Sequence, residues 1–256
     1  MSGLTDTAER LIRTMKDHYG LDHTFRPVEL HCFPHLDAAS YASFRADMAR
    51  QAFEWIADLE SVEMNSSPTS VVAPTVLRVM SSPDGFVVAD YFQIKPRVRR
   101  RLALLGGGIL NLRWLAAPAA FIDGMRTRHC VDLGTEFTDG TFLTTSNAES
   151  AAKIAAPQSI DKSFFPYDTP VARLMENHRA RVAVRLDANA GLRPLEIRSL
   201  DELLAMQNRL RRQKVAHRMA TEWVSKAELR AMARGIDRLA DDLYTEVQRL
   251  LQQDKA

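Results

Sequence analysis

Apolar residues recur every three or four positions in several stretches of the chain, the spacing that one face of an α-helix produces. These stretches are residues 6–18, 41–59 and 171–186, together with much of 199–256. Asp37 precedes the second stretch, where an aspartate can accept hydrogen bonds from the free amides of a first helical turn. The pattern predicts a helix in each stretch, and the aromatic helix over 41–59 is expected to pack on a sheet.

Two runs of β-prone residues are each divided by an Asp-Gly pair. Asp84-Gly85 separates residues 71–80 from residues 86–95, and Asp139-Gly140 separates 129–137 from 141–145. An Asp-Gly pair between such runs is a strong hairpin signal, because glycine readily adopts positive φ. We therefore predict an α+β fold with an antiparallel sheet of about four strands and helices on one face. A short strand is also expected after Pro27, and 146–168 are expected to form a loop.

The chain divides into a predicted core domain, residues 1–198, and a C-terminal helical hairpin, residues 199–256. Ser199 with Glu202, and Ser225 with Glu228, fit the capping-box pattern that begins a helix. Between residues 229 and 250 the apolar positions follow a near-heptad spacing. That stripe predicts either packing within the hairpin or a homodimer formed through 229–250.

Composition places the chain among ordinary globular proteins, with 46% hydrophobic and 26% charged residues. The 34 basic and 32 acidic side chains nearly balance, so bulk charge indicates no particular partner. Two cysteines are too few for a disulfide framework, which favours a reducing compartment. No apolar run follows a basic N-terminus, so we expect a cytoplasmic protein without a secretory signal.

Residues 102–122 form an almost entirely apolar insertion between the two predicted hairpins. Their length suits a membrane span, but Arg113 lies at the centre and Gly106, Gly107 and Gly108 weaken a helix. A membrane-surface arm and a buried segment remain alternatives to a span.

A basic run precedes this insertion and places five positive charges in seven residues: Lys95, Arg97, Arg99, Arg100 and Arg101. Basic residues beside apolar ones suit an anionic membrane surface, and Trp114 would add an apolar anchor. We expect this arm, residues 95–122, to bind a membrane surface or an acidic or apolar protein partner. A second basic stretch, residues 209–218, has no interleaved aromatic residues, so nucleic acid is not an expected partner.

Histidine and cysteine occur together at two places, and both suggest chemistry. His31, Cys32 and His35, with Cys130 or His129 from far along the chain, could form a tetrahedral metal site. Alternatively, Cys130 could act as a nucleophile with His129 as its base. Neither pattern is specific, because no Cys-x-x-Cys is present and neighbours on a strand face opposite ways. No cofactor is predicted.

Three carboxylates lie on the predicted strands. Asp132 and Glu136 share one strand face about 13 Å apart, too far for a glycosidase pair. Asp90 on the neighbouring hairpin could complete an acidic patch with them. We interpret this face as solvent-exposed, opposite Val131 and Leu133.

Residues 135–147, 178–182 and 199–207 resemble segments of bacterial proteins that carry no assigned function. The resemblance implies a bacterial, intracellular setting and brings no activity or cofactor. The favoured function is a non-catalytic interaction module that uses the arm. A hydrolase using Cys130 or a His/Cys-bound metal, and a small-ligand binding domain with a cavity closed by 102–122, are the alternatives.

Overall fold

The computed structural model describes residues 2–19, 24–67, 70, 72–97, 126–233 and 237–253. It is an α+β fold around a mixed sheet of seven strands that neighbour one another in chain order. The strands are β1 (Phe25–Pro27), β2 (Glu54–Ser61), β3 (Leu77–Ser81), β4 (Val88–Ile94), β5 (Arg128–Glu136), β6 (Phe142–Ser146) and β7 (Ile160–Phe164). All neighbouring pairs are antiparallel except β6 and β7, which are parallel.

Both predicted Asp-Gly hairpins are confirmed. β3 and β4 flank Gly85, and β5 and β6 flank Gly140. Each glycine has a positive φ, 76° and 78°, which a residue with a Cβ adopts only with strain. In both turns the preceding aspartate, Asp84 or Asp139, accepts a hydrogen bond from the backbone amide two residues further on. These local preferences explain why the hairpins could be read from the sequence.

The prediction of four strands was too low. The apolar stretch 41–59 is not one helix, because the helix α2 (Ala38–Ala49) ends early and β2 follows it. Between them the chain turns at Ala52, whose φ is 61°. β1 covers Phe25–Pro27, and the expected strand after Pro27 is replaced by a short 3-10 helix, Leu30–Cys32.

The expected loop over 146–168 contains a further strand. It begins with a 3-10 helix, Glu149–Lys153, and continues into β7, which pairs with β6 in parallel. A parallel neighbour requires a connection that returns to the starting end of the sheet. Alternation in β7 is weak because Asp161 and Lys162 interrupt its apolar residues, which explains why the strand was missed.

Helices cover both faces of the sheet, whereas one covered face was predicted. On one face lie α2 and α4 (Val171–Ala188), and the short helix α3 (Val62–Ser66) follows the end of β2. The core on this side is a single cluster of apolar and aromatic residues, among them Tyr41, Phe44, Tyr91, Leu133 and Leu174. The Tyr41 and Tyr91 rings meet edge to face with centroids 4.7 Å apart.

The opposite face is covered by α5 (Leu200–Ala220). Leu203, Met206 and Leu210 of α5 pack against β-strand residues that include Val79 and Phe142. Gly134 lies against α5, where a Cβ would be 3.4 Å from the Met206 terminal methyl carbon, an ordinary van der Waals contact. The Ser199–Glu202 capping box that begins α5 is confirmed. Because α5 packs on the sheet, the division of the chain at residue 198 remains a prediction.

A third apolar cluster joins the two ends of the chain. It contains α1 (Ser2–Tyr19), α6 (Lys226–Ala233) and α7 (Asp237–Gln253). The described residues of 199–256 therefore form three helices, where two were predicted. Leu229 and Val247 of the near-heptad stripe are buried with Ala8 and Ile12 of α1. The stripe therefore has a partner within the chain, and the homodimer through 229–250 remains an untested prediction.

A buried ion pair connects these helices to the sheet. Arg218 of α5 lies 2.7 Å from Glu228 of α6, with side chains 1% and 3% exposed. Arg218 also donates to the carbonyl oxygen of Ala155, and its guanidinium lies 4.9 Å from the Tyr19 ring centre. Glu228 accepts hydrogen bonds from the amides of Ala155 and Ser225. Both side chains of this ion pair are thus held by further contacts besides the one between them.

We expect Glu228→Gln to lower the free energy of unfolding by about 3–5 kcal/mol, because it leaves the Arg218 guanidinium buried without a counter-charge. The matched control is Asp241→Asn, which removes the carboxylate from its ion pairs with Arg230 and Lys226, where the three side chains are 36%, 47% and 46% exposed. That change is expected to cost far less, because exposed ion pairs contribute little to stability. Urea unfolding of the three proteins measures both values; equal losses would contradict this account.

Candidate functional site

Polar side chains lie next to one another in the middle of the sheet, on the face that α5 covers. Asp90 of β4 is paired with Asp132 of β5, and Asp132 is paired with Ser146 of β6. Asp90 and Asp132 face α5 because side chains alternate along a strand and their neighbours Ala89, Tyr91, Val131 and Leu133 belong to the opposite core. Two carboxylates directly opposite each other in adjacent strands have Cβ atoms about 5 Å apart.

Two lysines face these carboxylates from other elements. Lys214 follows Leu210 by one helical turn on the sheet-facing side of α5 and interacts electrostatically with both Asp90 and Asp132. Lys162 lies on β7 opposite Thr144, two residues after buried Ile160, and therefore shares its face. We call Asp90, Asp132, Lys162 and Lys214 the Asp–Lys cluster.

Asp90 is the least satisfied member of the cluster. Its Oδ1 atom is buried, and it has no hydrogen-bond partner in the structure. Burial, followed by repulsion from Asp132, raises the pKa of the Asp90 carboxyl to about 8, and the attraction of Lys214 only partly offsets this. Asp90 consequently holds a proton at neutral pH and can both donate and accept a hydrogen bond.

Asp132 is better supported than Asp90. The Ser146 hydroxyl donates a hydrogen bond to Asp132 Oδ1, and Ser146 in turn accepts from the amide of Ala148. Burial nevertheless raises the pKa of Asp132, against the opposing effects of Ser146, Lys214 and Lys162. The two paired carboxyls therefore differ: one is anchored by a serine, and the other has an unused oxygen.

The two lysines also lack close partners. Among the residues that the structure describes, neither ammonium forms a hydrogen bond or an ion pair within 4 Å. Burial and the neighbouring Lys214 charge lower the pKa of Lys162 to about 8, although Asp132 opposes this effect. Burial likewise lowers the pKa of Lys214, despite attraction from Asp132 and Asp90. Both amines are therefore less firmly protonated than surface lysines.

This arrangement destabilises the fold, which is the physical reason to regard it as a site. Desolvation is the largest cause of every pKa shift in the cluster, and each shift disfavours the charged form. Groups whose only task is to stabilise the fold are usually paired when buried, as Arg78 and Asp58 are on this sheet through two hydrogen bonds of 2.6 and 2.8 Å. Perturbed, incompletely paired groups collected at one place are typical of functional sites.

The interpretation of this strand face as solvent-exposed was wrong. α5 covers Asp132 and Glu136, and Glu136 is buried and receives two hydrogen bonds from Arg209 at 2.5 and 2.7 Å. Asp90 and Asp132 do lie together, as the acidic patch required, but Glu136 belongs to a separate ion pair. Sequence analysis recognised the two carboxylates of the cluster but neither of its lysines. Lys162 lies on β7, a strand that was not predicted, and Lys214 lies on α5, a helix that was expected to lie apart from the sheet.

The structure separates the two members of the predicted nucleophile pair. Cys130 is fully buried on the α5 side, and burial together with nearby Asp132 raises the pKa of its thiol. His129 points to the other face and its Nδ1 lies 2.6 Å from the Tyr91 hydroxyl. A buried thiol that resists ionisation and a histidine on the opposite face do not make a catalytic pair.

The predicted metal ligands are also apart. His31 and Cys32 lie in the exposed 3-10 helix, where His31 contacts Glu29 at 2.9 Å. His35 Nε2 is 2.7 Å from the carbonyl oxygen of Pro74, and Cys130 is in the sheet interior. The described part of the chain contains no group of three or more His, Cys, Asp or Glu side chains that could hold a metal ion.

Most of the predicted binding arm lies outside the described residues. This applies to Arg99, Arg100, Arg101 and Trp114, and to the whole of 102–122. Lys95 is described, and its ammonium donates a 2.6 Å hydrogen bond to the carbonyl oxygen of His35. Arg97 is described and has interactions of its own. No helix in the described ranges has the length and apolar character needed to cross a membrane.

Comparison with protein-family models, with curated proteins and with solved structures finds no match to this chain. The class of protein is therefore defined by fold and site: an α+β protein with a seven-stranded sheet and a partly buried Asp–Lys cluster beneath one helix.

We expect Cys32 to react with iodoacetamide at neutral pH much faster than Cys130 in the folded protein, because Cys32 is exposed and Cys130 is not. Peptide mass mapping after timed labelling measures the two rates, and labelling in urea is the control that makes both thiols accessible. Preferential labelling of Cys130 in the folded state would restore the thiol-nucleophile hypothesis.

We expect Asp90→Asn to stabilise the protein at pH 8 more than at pH 5. Folded Asp90 keeps its proton up to about pH 8, while the unfolded chain releases it near pH 4. Wild-type stability therefore falls as pH rises between these values, and asparagine removes that loss. Thermal unfolding at both pH values tests this. Asp187→Asn, at an exposed position of α4, is the control and should show no such difference.

Proposed function

We propose that the Asp–Lys cluster binds a small carboxylic acid that carries a second polar group, and that ligand binding at this place is the function of the domain. The observation that carries the proposal is the buried Asp90 Oδ1 atom, which no other group satisfies. A hydroxyl, oxo or amino group on the ligand would supply its missing partner. The ligand carboxylate would supply the anion that the lysines lack.

Electrostatics supports an anion in preference to a metal cation. Lys162 and Lys214 both approach the Asp132 carboxylate, so a cation placed there would be repelled by two ammonium groups. A carboxylate near the lysines would instead be attracted, and would favour the charged form of each amine. At neutral pH Asp90 is protonated and adds no full negative charge that would oppose such a ligand.

This proposal develops the small-ligand alternative and not the interaction module. The interaction module depends on the arm, residues 95–122, which lies mostly outside the described residues, so it stays a prediction. The hydrolase alternative depended on Cys130 as a nucleophile or on a metal bound by His and Cys side chains, and Cys130 is buried while Cys32 is exposed. The Asp–Lys cluster requires neither.

Thermal unfolding with four acids of similar size tests the proposal. Pyruvate, lactate and alanine each carry a second polar group, and propionate does not. A ligand present at ten times its dissociation constant stabilises the native state by about 1.4 kcal/mol, on the order of 3–6 °C for a chain of this size. We expect at least one of the first three acids to reach such a shift and propionate to fall short of it.

Lys214→Met is expected to abolish the shift while leaving the protein folded, since methionine replaces a partly buried charge with an apolar side chain of similar length. Lys153→Met, at the end of the 3-10 helix before β7, is the matched control and should bind as the wild type does. If no acid shifts the transition, or if Lys214→Met responds as the wild type does, the proposal is wrong.

A further inference from the structure

We propose that the helices formed by the two chain ends, α1, α6 and α7, move as one unit about a strained junction between α5 and α6, and that the Arg218–Glu228 ion pair holds this unit closed against the sheet. We call these three helices the terminal bundle. The proposal goes beyond the function proposed above, because it concerns a movement of the fold and requires no ligand.

The backbone of the junction is strained. Glu222 and Trp223 have φ values of 51° and 71°, a left-handed conformation that residues other than glycine adopt rarely. Their amides donate hydrogen bonds to the carbonyl oxygens of Met219 and Arg218 in the last turn of α5. Helices that end in this pattern usually have glycine in the position that Glu222 occupies. Strain of this kind persists only where neighbouring contacts compensate for it.

The compensating contacts converge on Arg218. Its guanidinium donates hydrogen bonds to the Glu228 carboxylate at 2.7 Å and to the carbonyl oxygens of Ala155 and Trp223 at 2.8 and 3.4 Å. The Tyr19 ring of α1 lies against the same guanidinium. Glu228 and Tyr19 belong to the terminal bundle, whereas Ala155 precedes β7, so this buried side chain joins the bundle to the sheet.

The terminal bundle has a core and polar contacts of its own. Ile12 of α1 and Val247 of α7 belong to an apolar cluster that is distinct from the clusters on the two faces of the sheet. The Thr5 hydroxyl of α1 donates a 2.6 Å hydrogen bond to Glu246 of α7. A movement of the bundle as a unit keeps these contacts. It breaks the contacts of Arg218 with Glu228 and Tyr19, and it releases the strain of the junction.

The closed bundle borders the Asp–Lys cluster. Lys214 lies one helical turn before Arg218 on α5, and Ala155 leads into the strand that carries Lys162. The closed position therefore supports both elements that supply the lysines. The experiment contains no ligand, so its result does not depend on the proposed binding function.

Chemical labelling of the full-length protein tests the movement. Phenylglyoxal modifies accessible guanidinium groups, and Arg218 is 1% exposed when the bundle is closed. Iodoacetamide modifies accessible thiols, and Cys130 in the sheet is 0% exposed. Peptide mass mapping gives the labelling rate of each residue in urea divided by its rate in the folded protein, which is its protection. We expect the protection of Arg218 to be lower than that of Cys130 by a factor on the order of ten or more, because the bundle opens while the sheet stays folded.

Two pairs of variants locate the hinge. Glu222→Gly and Glu222→Ala remove the same side chain, but only glycine adopts positive φ without strain. Protection of Arg218 should therefore be about threefold to tenfold higher in the glycine variant than in the alanine variant. The matched pair is Glu176→Gly and Glu176→Ala, at an exposed position within α4. There glycine weakens a right-handed helix, so it should lower the protection of Cys130 and leave that of Arg218 unchanged.

Equal protection of Arg218 and Cys130 in the wild type would overturn the proposal, because both groups would then become accessible only when the whole protein unfolds. Equal protection of Arg218 in the two Glu222 variants would also overturn it, since opening would then not release the strain of the junction. The wild-type measurement stands without any variant, and circular dichroism shows whether each variant is folded.

Discussion

Coverage of the sheet on both faces is the constraint from which the other properties of this protein follow. α2 and α4 bury one face, and α5 buries the other through Leu203, Met206 and Leu210. Polar side chains that this coverage buries completely must find a partner inside the protein, because water does not reach them. Polar residues on the sheet therefore differ in whether they have such a partner.

Most buried polar groups are fully accommodated. Arg78 and Asp58 form a two-point ion pair, and His178 of α4 makes contacts of 2.9 and 3.0 Å with the hydroxyls of Thr135 and Thr145. Burial lowers the pKa of His178 to about 3, so that the ring is neutral. The Asp90 Oδ1 atom is one of several buried side-chain atoms in the described residues that lack a hydrogen-bond partner, others belonging to Asn177, His217 and Gln248. Asp90 differs from these three because it lies beside a second carboxyl and two lysines.

Local sequence signals predicted local structure well and long-range structure poorly. The Asp-Gly turns and the Ser199–Glu202 cap depend on a few adjacent residues, and they were predicted correctly. β2 was hidden because its apolar residues continue the helical spacing of α2, and β7 because its pairing with β6 is non-local. For the same reason only half of the site was visible: Asp90 and Asp132 were recognised on neighbouring strands, but nothing near Lys162 or Lys214 in the chain indicates that both approach Asp132.

The anchoring of Ala155 has a consequence for how motion would pass through the molecule. Its amide is held by Glu228 and its carbonyl by Arg218, just before the chain enters β7. The strand that carries Lys162 is thereby fastened to α5 and α6, and through the Tyr19 ring to α1. A displacement of β7 would therefore be transmitted to the helices formed by the two chain ends. A spectroscopic probe placed on these helices would then report ligand binding at the Asp–Lys cluster.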